Sequence, residues 1–149
     1  MSNDIKFYMQ RVDIPDQEEI DLETVFKGMR YAKSKGLDTI GEARTYEETF
    51  AETDKVNVYM PSEPVNKQTK VDITFYFIGE NRRSVKDQFD EYIRKGIHRY
   101  WDTARNKEFE FYVKDKIEPS EELWYGSTPY IEVTYRLNNI NGKTKNHVQ

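Results

Sequence analysis

The chain contains no cysteine, and its 149 residues include only two histidines. A chain without cysteine can form neither a disulfide framework nor a zinc–thiolate site. The two histidines, His98 and His147, stand far apart, and neither belongs to a spacing typical of a metal-binding pair. We therefore expect no metal site and no cofactor, and an ordinary packing role for His98.

Catalytic and phosphate-binding motifs are also missing from the sequence. There is no Gly-x-Ser-x-Gly elbow and no Gly-x-x-x-x-Gly-Lys loop. The acidic cluster at residues 13–23 lacks the glycine that a calcium-binding loop needs at its sharp turn, so we interpret it as a solvated loop. Glu108 and Glu110 are predicted to be outward-facing residues of a strand. The sequence thus predicts a protein that is not an enzyme.

Long apolar runs and an excess of positive charge are absent as well. No stretch approaches the roughly 20 apolar residues of a membrane helix, and the N-terminus begins polar, without a secretory core. The net charge of −4 argues against a surface dedicated to nucleic-acid phosphates. We expect a soluble protein located in the cytoplasm or in a particle assembled there, with no membrane contact.

What the chain does contain is aromatic residues, at 14% of the composition with eleven tyrosines. Their large side chains supply enough apolar area for a core in a chain with 34% charged residues. The length predicts a single domain over residues 1–149, with residues 143–149 as a disordered tail.

Alternation of apolar and polar residues predicts five half-buried strands. They lie at residues 5–10, 56–60, 71–78, 109–113 and 131–137. Residues 13–37 are ambiguous, and we predict a short turn or helix followed by a strand over residues 28–34. Asn138 to Gly142 carries the chemistry of a tight turn.

One helix follows the third strand. Ser84 is the predicted N-cap, and an apolar stripe recurs at helical spacing from Val85 to Ile97. Asp90 with Arg94 and Glu91 with Lys95 are spaced as ion pairs along the helix. The fold class is therefore α+β: a β-rich sandwich or barrel-like sheet with one flanking amphipathic helix.

Two groups of residues are candidates for contact with other proteins. The segment after the helix is rich in residue types that dominate interfaces, and its candidates are Arg99, Tyr100, Trp101, Asp102 and Arg105; the same segment can instead be a structural corner. On the strand faces opposite the core, Tyr76 and Tyr112 are further candidates, because a second layer or a partner must cover that aromatic area.

The order of elements from residue 71 onward resembles the tail proteins of long-tailed bacteriophages and prophages, in particular the tail-tube and distal-tail group. The matching segments are ITFYFIG at residues 73–79, the helix at 85–97, YWDTAR at 100–105 and FEFYV at 109–113. YGSTPYI at 125–131 and NNING at 138–142 are similar to segments of prophage proteins.

The resemblance implies a structural protein of the virion. Its subunits would close into a hexameric or similar ring that contacts tube, terminator or baseplate proteins, with DNA only as passing cargo. The alternative interpretation is a stand-alone β-sandwich that binds carbohydrate or peptide, with Trp101, Trp124 and Tyr125 lining a groove.

Overall fold

The computed structural model describes residues 5–43, 46–50, 55–59 and 65–147, and for 46–50 and 55–59 it describes the backbone only. Two helices are present in these ranges, α1 (Leu22–Val25) and α2 (Arg82–Arg94). The strands are β1 (Phe7–Arg11), β2 (Ile20–Asp21), β3 (Met29–Lys35), β4 (Tyr46–Phe50), β5 (Lys55–Tyr59), β6 (Thr69–Ile78), β7 (His98–Asp102), β8 (Lys107–Tyr112), β9 (Leu123–Tyr125), β10 (Thr128–Asn139) and β11 (Lys145–Asn146).

Nine of these strands form one antiparallel sheet in the order β2-β1-β7-β8-β10-β6-β3, with β11 added beside β8 and β9 beside β10. The longest ladder joins β6 to β10 over ten residue pairs, from Tyr130 opposite Ile78 to Asn139 opposite Thr69. Strands β4 and β5 form a separate two-stranded sheet. The protein is thus a sheet-dominated α+β fold with one amphipathic helix on its flank, which confirms the predicted fold class.

The sheet curls until its two ends approach each other. Phe7 of β1 stacks on Tyr31 of β3, with ring centroids 4.4 Å apart and planes inclined by 15°. The enclosed core is apolar because alternate residues of β6 and β10 point inward, as the period of two predicts. Its fully buried side chains include Val71, Ile73, Phe75, Phe77, Ile131, Val133, Tyr135 and Leu137.

Helix α2 covers the core with the predicted apolar stripe. Phe89 and Ile93 are fully buried, and Val85 and Tyr92 pack beside them. The helix begins three residues earlier than expected: Asn81 is the N-cap residue, and Ser84 lies inside the first turn. Asn81 makes no side-chain capping hydrogen bond, and the Arg82 N–H of this turn donates to the Gly79 carbonyl at 3.3 Å.

The two predicted ion pairs of α2 have different outcomes. Lys95 contacts Glu91 at 3.1 Å, as expected. Asp90 instead pairs with Lys86 and accepts a hydrogen bond from the Tyr135 hydroxyl at 2.5 Å. Arg94 donates to the backbone oxygen of Asp115 at 3.0 Å. Asp90 therefore fastens the helix to β10, which a pattern within the helix cannot reveal.

Several boundaries differ from the sequence predictions. Ile5 precedes β1 and is 49% exposed, so it does not belong to the core face. The ambiguous region contains helix α1 followed by strand β3, as predicted, and also the short strand β2, which was not predicted. The turn near residue 140 starts later than expected, because Asn138 and Asn139 continue β10 and are buried. Strand β5 covers most of the predicted second strand, whose Met60 lies outside the described residues.

The C-terminal segment differs most from its prediction as a disordered tail. Lys145 and Asn146 form β11 against β8, opposite Glu108 and Lys107. The backbone N–H of His147 donates to the carbonyl of Asn106 at 2.8 Å. Residues 145 and 146 are therefore part of the sheet and His147 is held beside it, while residues 148 and 149 lie outside the described part of the chain.

Candidate interaction surfaces

The segment after the helix, predicted as a contact loop, is strand β7 in the middle of the sheet. Tyr100 and Asp102 are 1% and 3% exposed, and the Tyr100 hydroxyl donates to Asp102 Oδ2 at 2.9 Å. Burial and the neighbouring Asp102 raise the pKa of Tyr100 well above its usual value. These two candidates are thus internal to the protein.

Trp101 is covered on both faces by residues of the same chain. Tyr8 stacks on one face with a centroid distance of 4.6 Å, and His147 stacks on the other at 3.6 Å. The indole N–H donates to Glu19, and the side chain is 5% exposed. A residue enclosed in this way cannot act as an exposed anchor for a partner.

Arg99 and Arg105 lie at the surface, where each makes contacts within the chain. Arg99 donates to Gln10 Oε1 and Glu19 Oε2, both at 2.8 Å. Arg105 pairs with Asp38 at 2.7 Å. Asp102 caps the backbone of Arg105, whose N–H donates to Asp102 Oδ1 at 2.8 Å.

A buried cluster of charged groups fastens the C-terminal segment to β8. Glu108, predicted to face outward, is 6% exposed and lies 3.0 Å from His147 Nδ1. Arg99 and Lys145 approach the same carboxylate at 3.7 and 4.0 Å. The alternation of β8 is broken here because the returning C-terminus covers the outer face of the strand.

His98 occupies a packing position, as expected. Its ring lies 4.7 Å from Tyr92 and 5.6 Å from Phe111, and the residue is fully buried. Burial lowers the pKa of His98 and raises that of Tyr92 to about 12.

The remaining candidates lie on the outer face of the sheet. Tyr112 is half-buried and its hydroxyl donates to Gln68 at 2.9 Å. Tyr76 is half-buried and meets Tyr130 edge-on across the β6–β10 ladder, with centroids 6.1 Å apart. Tyr76 is thus partly accessible on the outer face of the sheet.

An aromatic groove of about 430 Å³ surrounds Tyr76 on this face. Its lining residues are Tyr76, Ile78, Tyr125, Thr128, Tyr130 and Glu132. Tyr125 and its neighbour Trp124 are 83% and 64% exposed, the largest exposures among the aromatic residues that the structure describes. Sequence reasoning placed Trp124 and Tyr125 in a possible groove but did not connect them with Tyr76, because the contact depends on how β9 folds back on β10.

The part of the chain that the structure describes contains no cluster of three His, Asp or Glu side chains able to hold a metal ion. No helix in the described ranges is long and apolar enough to cross a membrane.

Fold and surface together define a class: a sheet-dominated α+β protein with one flanking helix and an aromatic outer sheet face. No protein-family model matches the chain, and no curated protein matches it. Solved structures that contain chains with a similar backbone include two of the phage p2 baseplate in its activated conformation, one with Sr and one with Ca.

The likeness to the phage chains spans nearly all of this protein. The chain in the Sr structure has a TM-score of 0.54 and 11% identity, over 91% of this chain and 44% of that one. The chain in the Ca structure has a TM-score of 0.52 and 11% identity, over 89% and 44%. This chain thus has a phage baseplate-like fold and spans less than half the length of the phage chains it matches.

Proposed function

We propose that this protein is a structural component of a bacteriophage or prophage tail, in a tube, terminator or distal-tail and baseplate ring. It acts by assembling with copies of itself and by contacting other tail proteins, and it is not an enzyme. It assembles in the host cytoplasm, ends up in the virion and meets DNA only as passing cargo. The observation that carries this proposal is the backbone likeness to phage p2 baseplate chains over 91% of the sequence.

The outer sheet face supports the proposal. Exposed aromatic side chains are enriched at protein interfaces, where their large area contributes much of the binding energy. Here Tyr125 and Trp124 stand exposed beside the groove around Tyr76. Such a surface matches a subunit that is covered by its neighbours in an assembly.

The test is the absolute mass by light scattering over a roughly hundredfold concentration range, with negative-stain images of any large species. The proposal predicts closed rings of about six copies, since heterologous contacts close into rings when their rotation permits. A monomer at every concentration would contradict self-assembly.

A second candidate function is a stand-alone module for carbohydrate or peptide, and the groove is the observation that favours it. Its volume of about 430 Å³ falls in the range of small-ligand sites. Tyrosine rings supply stacking surfaces, and Glu132 and Thr128 supply polar groups. Titration with glycans and peptides should then change the fluorescence of the wild type and leave that of Trp124→Phe unchanged.

A further inference from the structure

We propose that strand β4 of one copy pairs with the open edge of strand β3 in a second copy, so that the β4–β5 hairpin extends the main sheet across the subunit boundary. This inference rests on the proposed self-assembly and names the elements that carry it. It follows from four features of the chain: an isolated hairpin, an anchored base, an open edge and complementary charges.

The β4–β5 hairpin is a two-stranded sheet that is separate from the main sheet. Its five residue pairs run from Tyr46 opposite Tyr59 to Phe50 opposite Lys55. Within the described ranges these strands pair only with each other. An isolated two-stranded hairpin is marginally stable in water, and a third strand or a packing partner is needed to stabilise it.

The base of this hairpin is held firmly on the main body. The Gly41 N–H donates to the Gly142 carbonyl at 2.7 Å, and the Lys67 N–H donates to the Glu42 carbonyl at 2.6 Å. Ala43 and Asn66 form an antiparallel bridge. The chain thus leaves and re-enters the body at one fixed point, which gives the hairpin a defined origin for reaching a neighbour.

The receiving element is the free side of β3. This strand ends the sheet order and pairs with β6 on one side only, among the residues that the structure describes. Near the start of β3, the carboxylate of Glu23 accepts a hydrogen bond from the backbone N–H of Tyr31 at 3.2 Å. Beyond the register shift between Tyr31 and Lys33, the residues Ala32, Lys33 and Lys35 are exposed.

The charges of the two strands decide which of them pair. Strand β3 carries Arg30, Lys33 and Lys35 and no acid, whereas β4 carries Glu47 and Glu48 and no base. Opposite charges on paired strands are stabilising, and like charges directly opposite are destabilising. Two β3 edges therefore repel each other, whereas β3 attracts the acidic strand β4. Strand β5 carries only one charged residue, Lys55, which is basic, so β3 does not attract it.

Strands β3 and β4 are different elements of the same chain, so their pairing is heterologous. Each copy then offers one donor strand and one acceptor edge, and repetition of the contact produces a closed ring or an open filament. The contact also covers an exposed sheet edge, which soluble proteins otherwise protect against aggregation.

A charge-exchange experiment tests the pairing in the full chain. The variants are Lys33→Glu with Lys35→Glu, and Glu47→Lys with Glu48→Lys, each checked for an unchanged circular dichroism spectrum. Each variant alone should need at least about tenfold higher concentration to assemble, because the two paired strands then carry net charges of the same sign. An equimolar mixture of the two variants should assemble like the wild type, since every acidic strand again meets a basic one.

The outcomes separate this inference from the proposed function. Rings that form equally well in both reversed variants would overturn the strand pairing and leave the tail function standing. A wild type that never assembles would overturn self-assembly itself and the pairing with it.

Cross-linking gives an independent test, because the chain has no cysteine of its own. Ala32→Cys and Thr49→Cys, carried on separate copies of different mass, should form a mixed disulfide dimer under mild oxidation. The matched control mixes Ala32→Cys with Ser127→Cys, which lies in the exposed turn between β9 and β10. Equal dimer yields in the two mixtures would contradict the pairing.

Discussion

Gly142 lies at the base of the hairpin, where three segments of backbone meet. Its φ of +68° is in the left-handed region, and a Cβ built there would lie 2.1 Å from the carbonyl oxygen of Lys67. Gly126, in the turn before β10, has a similar φ of +60° with no atom within 4 Å of a built Cβ. The two glycines share a backbone conformation and differ in the space around them.

This difference leads to the first prediction. Gly126→Ala should lower the free energy of unfolding by about 1–2 kcal/mol, the cost of a left-handed alanine. Gly142→Ala should lower the free energy of unfolding by clearly more, because the added Cβ forces the backbone carbonyl of Lys67 to move. Urea unfolding of the two variants measures the difference. Equal losses would show that the close approach of Gly142 to Lys67 is not a constraint.

The second prediction concerns pH and His98. Burial is the largest cause that lowers the pKa of His98, and nearby Arg11 acts in the same direction. Backbone hydrogen bonds at Lys95 and Tyr92 and the charge of Asp13 oppose it. The unfolded chain takes up a proton on this histidine below about pH 6.5, while the folded chain does so only at lower pH. The unfolded state thus binds more protons in that window, so the stability falls as the pH drops below about 6.5.

His98→Phe should remove this part of the acid sensitivity, since phenylalanine keeps the packing between Tyr92 and Phe111 and cannot be protonated. The free energy of unfolding of wild type and variant, measured from pH 7.5 down to 5 in urea, should converge or cross as the pH falls. Two parallel curves would mean that His98 makes no contribution to the pH dependence.

At the scale of elements, helix α2 is held by one aromatic cluster. The ring centroid of Phe89 lies 5.2 Å from that of Phe26, 5.6 Å from that of Phe75 and 5.1 Å from that of Tyr135. A single helical side chain thus contacts three segments that are far apart in sequence. Burial of this ring joins α2 to the region after α1 and to β6 and β10.

The third prediction follows from that packing. Phe89→Ala should lower the free energy of unfolding by about 3–5 kcal/mol, because a cavity remains where the ring was. The neighbouring Gln88 is exposed, and Gln88→Ala should change it by less than about 0.5 kcal/mol. Similar effects of both substitutions in chemical denaturation would contradict the central position of Phe89.

Strand β11 is the second element whose role can be measured. It brings His147 onto Trp101, so removal of the imidazole should expose the indole. In a Trp124→Phe background, His147→Ala should therefore increase the quenching of Trp101 fluorescence by acrylamide, while Lys143→Ala, at an exposed position, should not. Unchanged quenching would show that the C-terminal segment does not cover Trp101 in solution.

For the whole molecule, assembly through β3 and β4 depends on attraction between exposed charges. Salt screens such charges, with a Debye length of about 10 Å at 0.1 M and about 3 Å at 1 M. The concentration needed for assembly should thus rise between 0.1 and 1 M NaCl, by light scattering. The equimolar mixture of the two charge-reversed variants should show the same dependence on salt, because its strands again carry opposite charges. Assembly that strengthens with salt would indicate an apolar contact instead, such as the aromatic groove.

The sequence by itself determined the elements that depend on local periodicity. Strands β6, β8 and β10 and helix α2 each carry an unbroken apolar pattern, and the α+β fold class follows from them. The resemblance drawn from the same elements agrees with the phage baseplate-like fold, since the order of strand, helix and strand is itself a local feature of the chain.

Tertiary structure alone decided which aromatic residues are available at the surface. Trp101 was a candidate contact residue by its type, but it is buried because Tyr8 and His147, from opposite ends of the chain, close over it. Tyr125 is exposed because β9 folds back on β10 and leaves the ring without a cover. Burial depends on contacts between residues distant in sequence, and no pattern of period two or 3.6 encodes which distant segment arrives to make them.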